Sequence, residues 1–130
     1  MHRILRTLLV FVLLAAAGFA QAPDFAETKQ KAEAGDANAQ YNLGIMYYEP
    51  NGVPRDYAEA MSWYRKAADQ GLASAQYKLG WMYYRGDGVQ KDLVQAHLWF
   101  NIGAANGEES AKMALGIVEK EMALEQKPKL

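Results

Sequence analysis

The chain has 130 residues, with 14 lysines and arginines against 15 aspartates and glutamates, and no cysteine. This near balance, without a basic stripe, speaks against nucleic-acid binding, which needs clustered cations for the phosphates. The lack of cysteine removes disulfides and thiolate metal sites, so one domain of this length must hold by packing alone.

The N-terminus reads first as a leader. Met1 to Thr7 carries Arg3 and Arg6 and no acid, Leu8 to Ala17 is unbroken apolar, and small residues follow. Basic, apolar and small-residue regions in that order predict a secretory signal peptide over residues 1–20. Cleavage is expected after Ala20. The triplet ending at Ala22 competes, but Pro23 would follow it directly. The apolar run is shorter than the roughly 20 residues of a spanning helix. No stable membrane span is therefore expected after cleavage. Loss of two arginines leaves 12 cations against 15 anions, a formal charge of −3. Together these features predict a periplasmic or secreted bacterial protein.

The rest of the chain repeats itself. Residues 35–70 and 71–106 align without insertion, and Gly35, Gly71 and Gly107 share one period of 36. A fixed period of this length predicts stacked supersecondary units. In the first helix of each unit, Ala39, Leu43, Met46 and Tyr47 form an apolar stripe at helical spacing, matched by Ala75, Leu79, Met82 and Tyr83. A breaker follows: Pro50-Asn51-Gly52-Val53-Pro54 in one copy, Gly86-Asp87-Gly88-Val89 in the other. Asp56 and Asp92 are placed to cap a second helix. That helix carries Ala60, Trp63, Tyr64, Ala67 and Ala68, against Ala96, Trp99, Phe100 and Ala104. It should stop at Gly71 or Gly107 in a left-handed C-terminal turn. Gly44 and Gly80 lie inside first helices, where glycine costs roughly 1 kcal/mol against alanine. Their shared position predicts a close helix approach, with Ala60 or Ala96 opposite.

Flanking segments complete the array. Residues 21–34 read as the end of a second helix leading into Gly35. Residues 107–130 restart a first helix and then depart from the pattern. This capping helix is expected to run through Glu121 to Gln126 and stop before Pro128, with Ala114, Ile117, Val118, Met122 and Leu124 on its apolar side.

The fold class is therefore all-α, a solenoid of αα-hairpins. The string Ala75, Leu79, Gly80, Tyr83, Gly86, Gly88, Val89, Asp92, Ala96, Trp99, echoed by Ala39, Leu43, Gly44, Tyr47, Gly52, Val53, Asp56, Ala60, Trp63, resembles the Sel-one-like repeat family, relatives of the tetratricopeptide repeats. Pro50 departs from the family's glycine. The resemblance implies that the solenoid is a right-handed superhelical one. It also implies a scaffold or adaptor, often exported in bacteria, and these residues are its packing code.

No catalytic constellation emerges. His97 is the only histidine after the leader, and no serine sits in a Gly-x-Ser-x-Gly turn or beside a base. No cofactor or metal is expected. Attention falls instead on first-helix positions outside the stripe. Asn42, Tyr48, Lys78, Trp81, Tyr84 and Arg85 would place amphipathic rings and cations on the concave side, and Trp, Tyr and Arg dominate interface hot spots. Trp81 has a second reading as a packing residue for the next repeat. The chain is thus expected to be an exported, non-enzymatic protein–protein interaction module. The other readings are a peptidoglycan or glycan binder using these rings, and a cell-wall or β-lactam hydrolase of the kind assigned to some cysteine-rich relatives. Exposed apolar edges would also suit a homo-oligomer.

Overall fold

The computed structural model describes residues 24–50 and 53–128. The leader therefore lies outside the described residues. Six helices follow in order: α1 Phe25–Glu33, α2 Ala37–Tyr48, α3 Tyr57–Asp69, α4 Ala73–Arg85, α5 Leu93–Ala105 and α6 Glu109–Glu125. Consecutive helices pack side by side, and α4 also meets α6. The complete hairpins are α2–α3 and α4–α5. Among the described residues there is no strand.

Local chemistry sets the boundaries. Asp24, Asp36, Asp56 and Asp92 each accept a backbone N–H of the first helical turn, satisfying donors that have no partner inside the helix. The caps of α4 and α6, Leu72 and Glu108, make no such bond. At the other ends Gly35, Gly71 and Gly107 sit at φ of +102°, +89° and +100°. Around Gly71 the Leu72 N–H reaches the Ala67 carbonyl at 3.2 Å and the Gly71 N–H that of Ala68 at 2.9 Å. The same pair of bonds closes α1 and α5. This is the Schellman turn expected of glycine just past a helix end. The loops are tied by a second repeated bond, Asp56 N–H to the Tyr47 carbonyl at 2.8 Å and Asp92 N–H to that of Tyr83 at 3.0 Å. In the Gly86–Val89 turn, Gly86 and Gly88 both take positive φ. Residues 51–52 of the corresponding turn lie outside the described residues.

The core alternates rings with small residues. Leu43, Ala60, Tyr64 and Ala67 are buried in the first hairpin, Leu79, Met82, Ala96 and Phe100 in the second. The close approach at Gly44 and Gly80 is present, but its partner is not the expected alanine. A Cβ at Gly44 would stand 2.6 Å from the ring of Tyr64, and one at Gly80 would collide with the ring of Phe100. The glycines make room for a flat ring lying on the helix backbone. The gain is burial of a large aromatic surface, which a methyl at that position would lift away.

Two buried amides stitch the repeats together. Gln40 donates to the Ala32 carbonyl at 3.1 Å and accepts from Gln70 at 2.8 Å. Gln76 donates to the Ala68 carbonyl at 3.0 Å and accepts from Asn106 at 2.9 Å. Each glutamine thus spans two units, with its polar atoms paired inside the core.

The terminal helix corrects one expectation. α6 runs to Glu125 and buries Ala111, Ala114 and Val118, with Met122 half-buried. Ile117 and Leu124, expected on the apolar side, are exposed. They face the side where a further second helix would pack, and no described residue covers it.

Candidate functional site

The candidates lie on α2 and α4, with Tyr48, Trp81, Tyr84 and Arg85 in the last turns of those helices. Tyr48 closes α2, and Lys78, Trp81 and Arg85 follow one another on α4 at spacings of three and four, so they share a face. These four line one small pocket of about 30 Å³ together with Tyr64 and Met82. Its buried wall is formed by Tyr64 and Met82, and Lys78 and Arg85 bring two cations to it.

The rim is held by a short polar chain. The Tyr48 hydroxyl donates to Oδ2 of Asp87 at 2.7 Å, and Nη1 of Arg85 reaches the same hydroxyl at 3.5 Å. Burial, aided by the bond to Asp87, pushes the Tyr48 hydroxyl up to about 12. Arg85 also lies over the Trp81 ring, its Cζ 5.2 Å from the centroid, a cation–π geometry. At the floor, the Tyr64 hydroxyl is buried and finds no partner among the described residues. Burial holds its pKa well above the usual phenol value.

Trp81 serves two purposes. It is half-buried, stands edge-on to Phe100 at 5.2 Å and to Tyr77 at 6.2 Å, and still lines the pocket. It packs against Tyr77 and Phe100 of its own hairpin and belongs to a cluster that also takes in Ala111, Ala114 and Val118 of α6. Tyr84 joins it edge-on at 5.3 Å, with the rings at 87°. The Tyr84 hydroxyl turns to Glu121 on α6, and that bond raises its pKa. Glu121 also pairs with Lys91 at 2.7 Å. Asn42 is exposed on α2 and is not among the pocket residues. Sequence reasoning missed Tyr64 and Met82, because their spacing marked them as core.

A larger, open depression of about 530 Å³ lies between the start of α5 and the end of α6, lined by Lys91 to Val94, Met122, Glu125 and Gln126. It is wide, and no ring of the repeat reaches it. The smaller pocket gathers two tyrosines, a tryptophan and an arginine, the residue types that dominate interface hot spots. His97, on α5, faces Glu119 at 3.1 Å at the surface. Among the described residues no group of three or more metal-ligating side chains converges, and no helix is long and apolar enough to cross a membrane.

Stacked αα-hairpins with ring-on-glycine seats define a helical solenoid of the tetratricopeptide-like class. The Sel1 repeat matches residues 37–72 and 73–108; this is more than half the chain, which belongs to the Sel1 repeat family. Such repeats typically build non-enzymatic scaffolds for protein–protein interaction. Among solved structures, a protective antigen of uropathogenic Escherichia coli with an SLR fold is 40% identical, with a TM-score of 0.73 over 77% of this chain and 21% of that one. A Sel1 repeat protein from Oxalobacter formigenes is 36% identical, with a TM-score of 0.68 over 72% of this chain and 38% of that one. Cysteine-rich protein B of Helicobacter pylori is 27% identical, with a TM-score of 0.69 over 78% and 79%. A curated relative, the secretory immunoglobulin A-binding protein EsiB of Escherichia coli, is 46% identical over 41 residues. The chain spans only 8% of that relative's length.

Proposed function

We propose that this chain is an exported, non-enzymatic interaction module, working in the bacterial periplasm or outside the cell, that holds a protein partner against the concave pocket between α2 and α4. Residues 1–20 act as the leader and residues 21–130 as the exported domain. The observation that carries the reading is the convergence of Tyr48, Lys78, Trp81 and Arg85 on one small pocket. A half-buried tryptophan beside an arginine, against buried Tyr64 and Met82 with two cations alongside, has the make-up of a hot spot. The recess itself, about 30 Å³, has room for little more than one water, so a partner would press on its rim of Tyr48, Lys78, Trp81 and Arg85. A sugar would need a flat aromatic platform, whereas Trp81 and Tyr84 stand at 87° to each other.

The test uses charge, which leaves the core alone. Immobilised 21–130 should retain a discrete set of proteins from envelope extract. Arg85→Gln should weaken their retention with only a small fall in the melting midpoint, because Arg85 is exposed and what is lost at the surface is its cation–π contact with Trp81. A truncated hot spot costs at least about 2 kcal/mol of binding, on the order of thirtyfold. Equal retention by the variant would remove the pocket from consideration.

A further inference from the structure

Each first helix of this fold carries a seat for a ring from the helix after it. On α2 the seat is Tyr41, Gly44 and Ile45. Tyr64 fills it, lying where a Gly44 Cβ would be and 5.7 Å from the Tyr41 ring. On α4 the seat is Tyr77, Gly80 and Trp81. Phe100 fills it, with ring centroids 5.8 Å and 5.2 Å away. One further period along, the seat on α6 is Met113, Gly116 and Ile117.

That third seat is open. No described residue comes within 4 Å of a Cβ built at Gly116. Met113 is 76% exposed and Ile117 47%, and Leu124 continues the stripe at 56%. These are three of the five large apolar side chains left exposed among the described residues, and they share one helix face at helical spacing. The end of a solenoid that faces water is normally polar. The opposite end follows that rule, since α1 carries Glu27, Lys29, Gln30 and Lys31 and buries only Ala32. The α6 face keeps an apolar, glycine-centred seat where a cap would carry charge.

We propose that this face of α6 binds, in trans, an amphipathic helix of a partner protein that presents one aromatic ring flanked by small residues. The two complete hairpins specify that occupant. Both fill the seat with a ring, and the helix bringing it carries Ala60 and Ala67 around Tyr64, or Ala96 and Gly103 around Phe100. Small neighbours let the helix backbones close until the ring reaches the glycine. Lys120 lies within the α6 stripe and suits an acidic residue on the incoming helix. This edge is separate from the concave pocket, and the proposal does not depend on how that pocket is used.

The chain supplies its own probe. A fluorescent peptide of residues 92–107 carries the ring that seats on Gly80. It is held helical by a lactam between Val94→Lys and Leu98→Asp, two positions exposed in the protein. This pre-organisation removes the cost of ordering the helix on binding. Anisotropy should show saturable binding to the folded protein. Phe100→Ala in the peptide, or Gly116→Leu in the protein, should each weaken it by about tenfold or more. The Gly116→Leu protein should melt no lower than the parent, because its side chain enters open space. Absence of binding, or equal binding by the Gly116→Leu protein, overturns the proposal. So does a dimer in sedimentation that Gly116→Leu dissociates, which would assign the seat to a second copy.

Discussion

The two complete repeats answer the same packing problem with different residues. The first seats a tyrosine on Gly44 and the second a phenylalanine on Gly80. The tyrosine leaves its hydroxyl buried without a partner among the described residues; the phenylalanine has none to satisfy. The relation reverses on the outer side. Nε1 of Trp63 donates to Glu59 at 3.2 Å, while Nε1 of Trp99 is buried without a partner among the described residues and position 95 holds glutamine. The helix starts differ as well, since Asp36 caps α2 through its side chain and Leu72 gives α4 no such bond. The repeat code thus constrains shape tightly, as glycine, ring and alanine, and leaves polar pairing to each copy. Polar groups that drift in this way are where a surface acquires a use of its own.

The largest effect should come from filling a seat. Gly80→Leu drives a side chain into the buried ring of Phe100 and should cost about 3 kcal/mol. Gly116→Leu, at the same repeat position, should not lower the melting midpoint of the domain, since leucine is the better helix former. Parallel thermal melts decide this, and a loss of equal size at both sites would end the ring-seat account.

Trp81 comes next, where the second repeat departs from the Ile45 of the first. Trp81→Ala should cost about 2 kcal/mol, below the full-burial range because the ring is only half-buried. Trp81→Ile copies the first repeat and should cost less, yet empty the concave pocket of its ring. Chemical denaturation of the pair separates packing from recognition. An isoleucine variant as unstable as the alanine one would mean that the second repeat needs the indole for its fold.

Tyr64→Phe copies the second repeat into the first. Removing an unpaired buried hydroxyl should raise stability by about 1 kcal/mol at neutral pH. A lower midpoint would show that the Tyr64 hydroxyl finds a partner in solution.

The smallest effect is one of pH. The Tyr48 phenol ordinarily titrates near 10, and in the fold it is pushed up to about 12 by burial and by Asp87. Its neutral form is the one the fold favours. That contribution is complete below about pH 10 and is lost as pH rises towards 12. Tyr48→Phe should flatten the fall of the melting midpoint over that interval. An unchanged slope would mean that the bond to Asp87 does not persist in solution.

Much of the fold was legible because the chain states it twice. The glycine period fixed the hairpin ends, since only glycine takes the positive φ of a Schellman turn without strain. Asp56 and Asp92 announced the second helices by their side-chain chemistry. The candidate site was half legible: residues spaced three and four apart on α4 must share a face, so Lys78, Trp81 and Arg85 were bound to meet. Asn42 was grouped with them by helix position alone and does not reach the pocket.

The sequence by itself determined the period, the helix limits, the apolar stripes and the glycines that must stay bare, because these follow from local geometry and repeat with the chain. Only the tertiary structure decided which side chain lies over each glycine, that Gln40 and Gln76 span neighbouring units, that Tyr64 joins Tyr48, Lys78, Trp81 and Arg85 around one small pocket, and that Ile117 and Leu124 face outward. Those outcomes depend on the angle and depth at which one helix meets the next. That geometry is a property of the packed pair and cannot be read from the spacing within either helix.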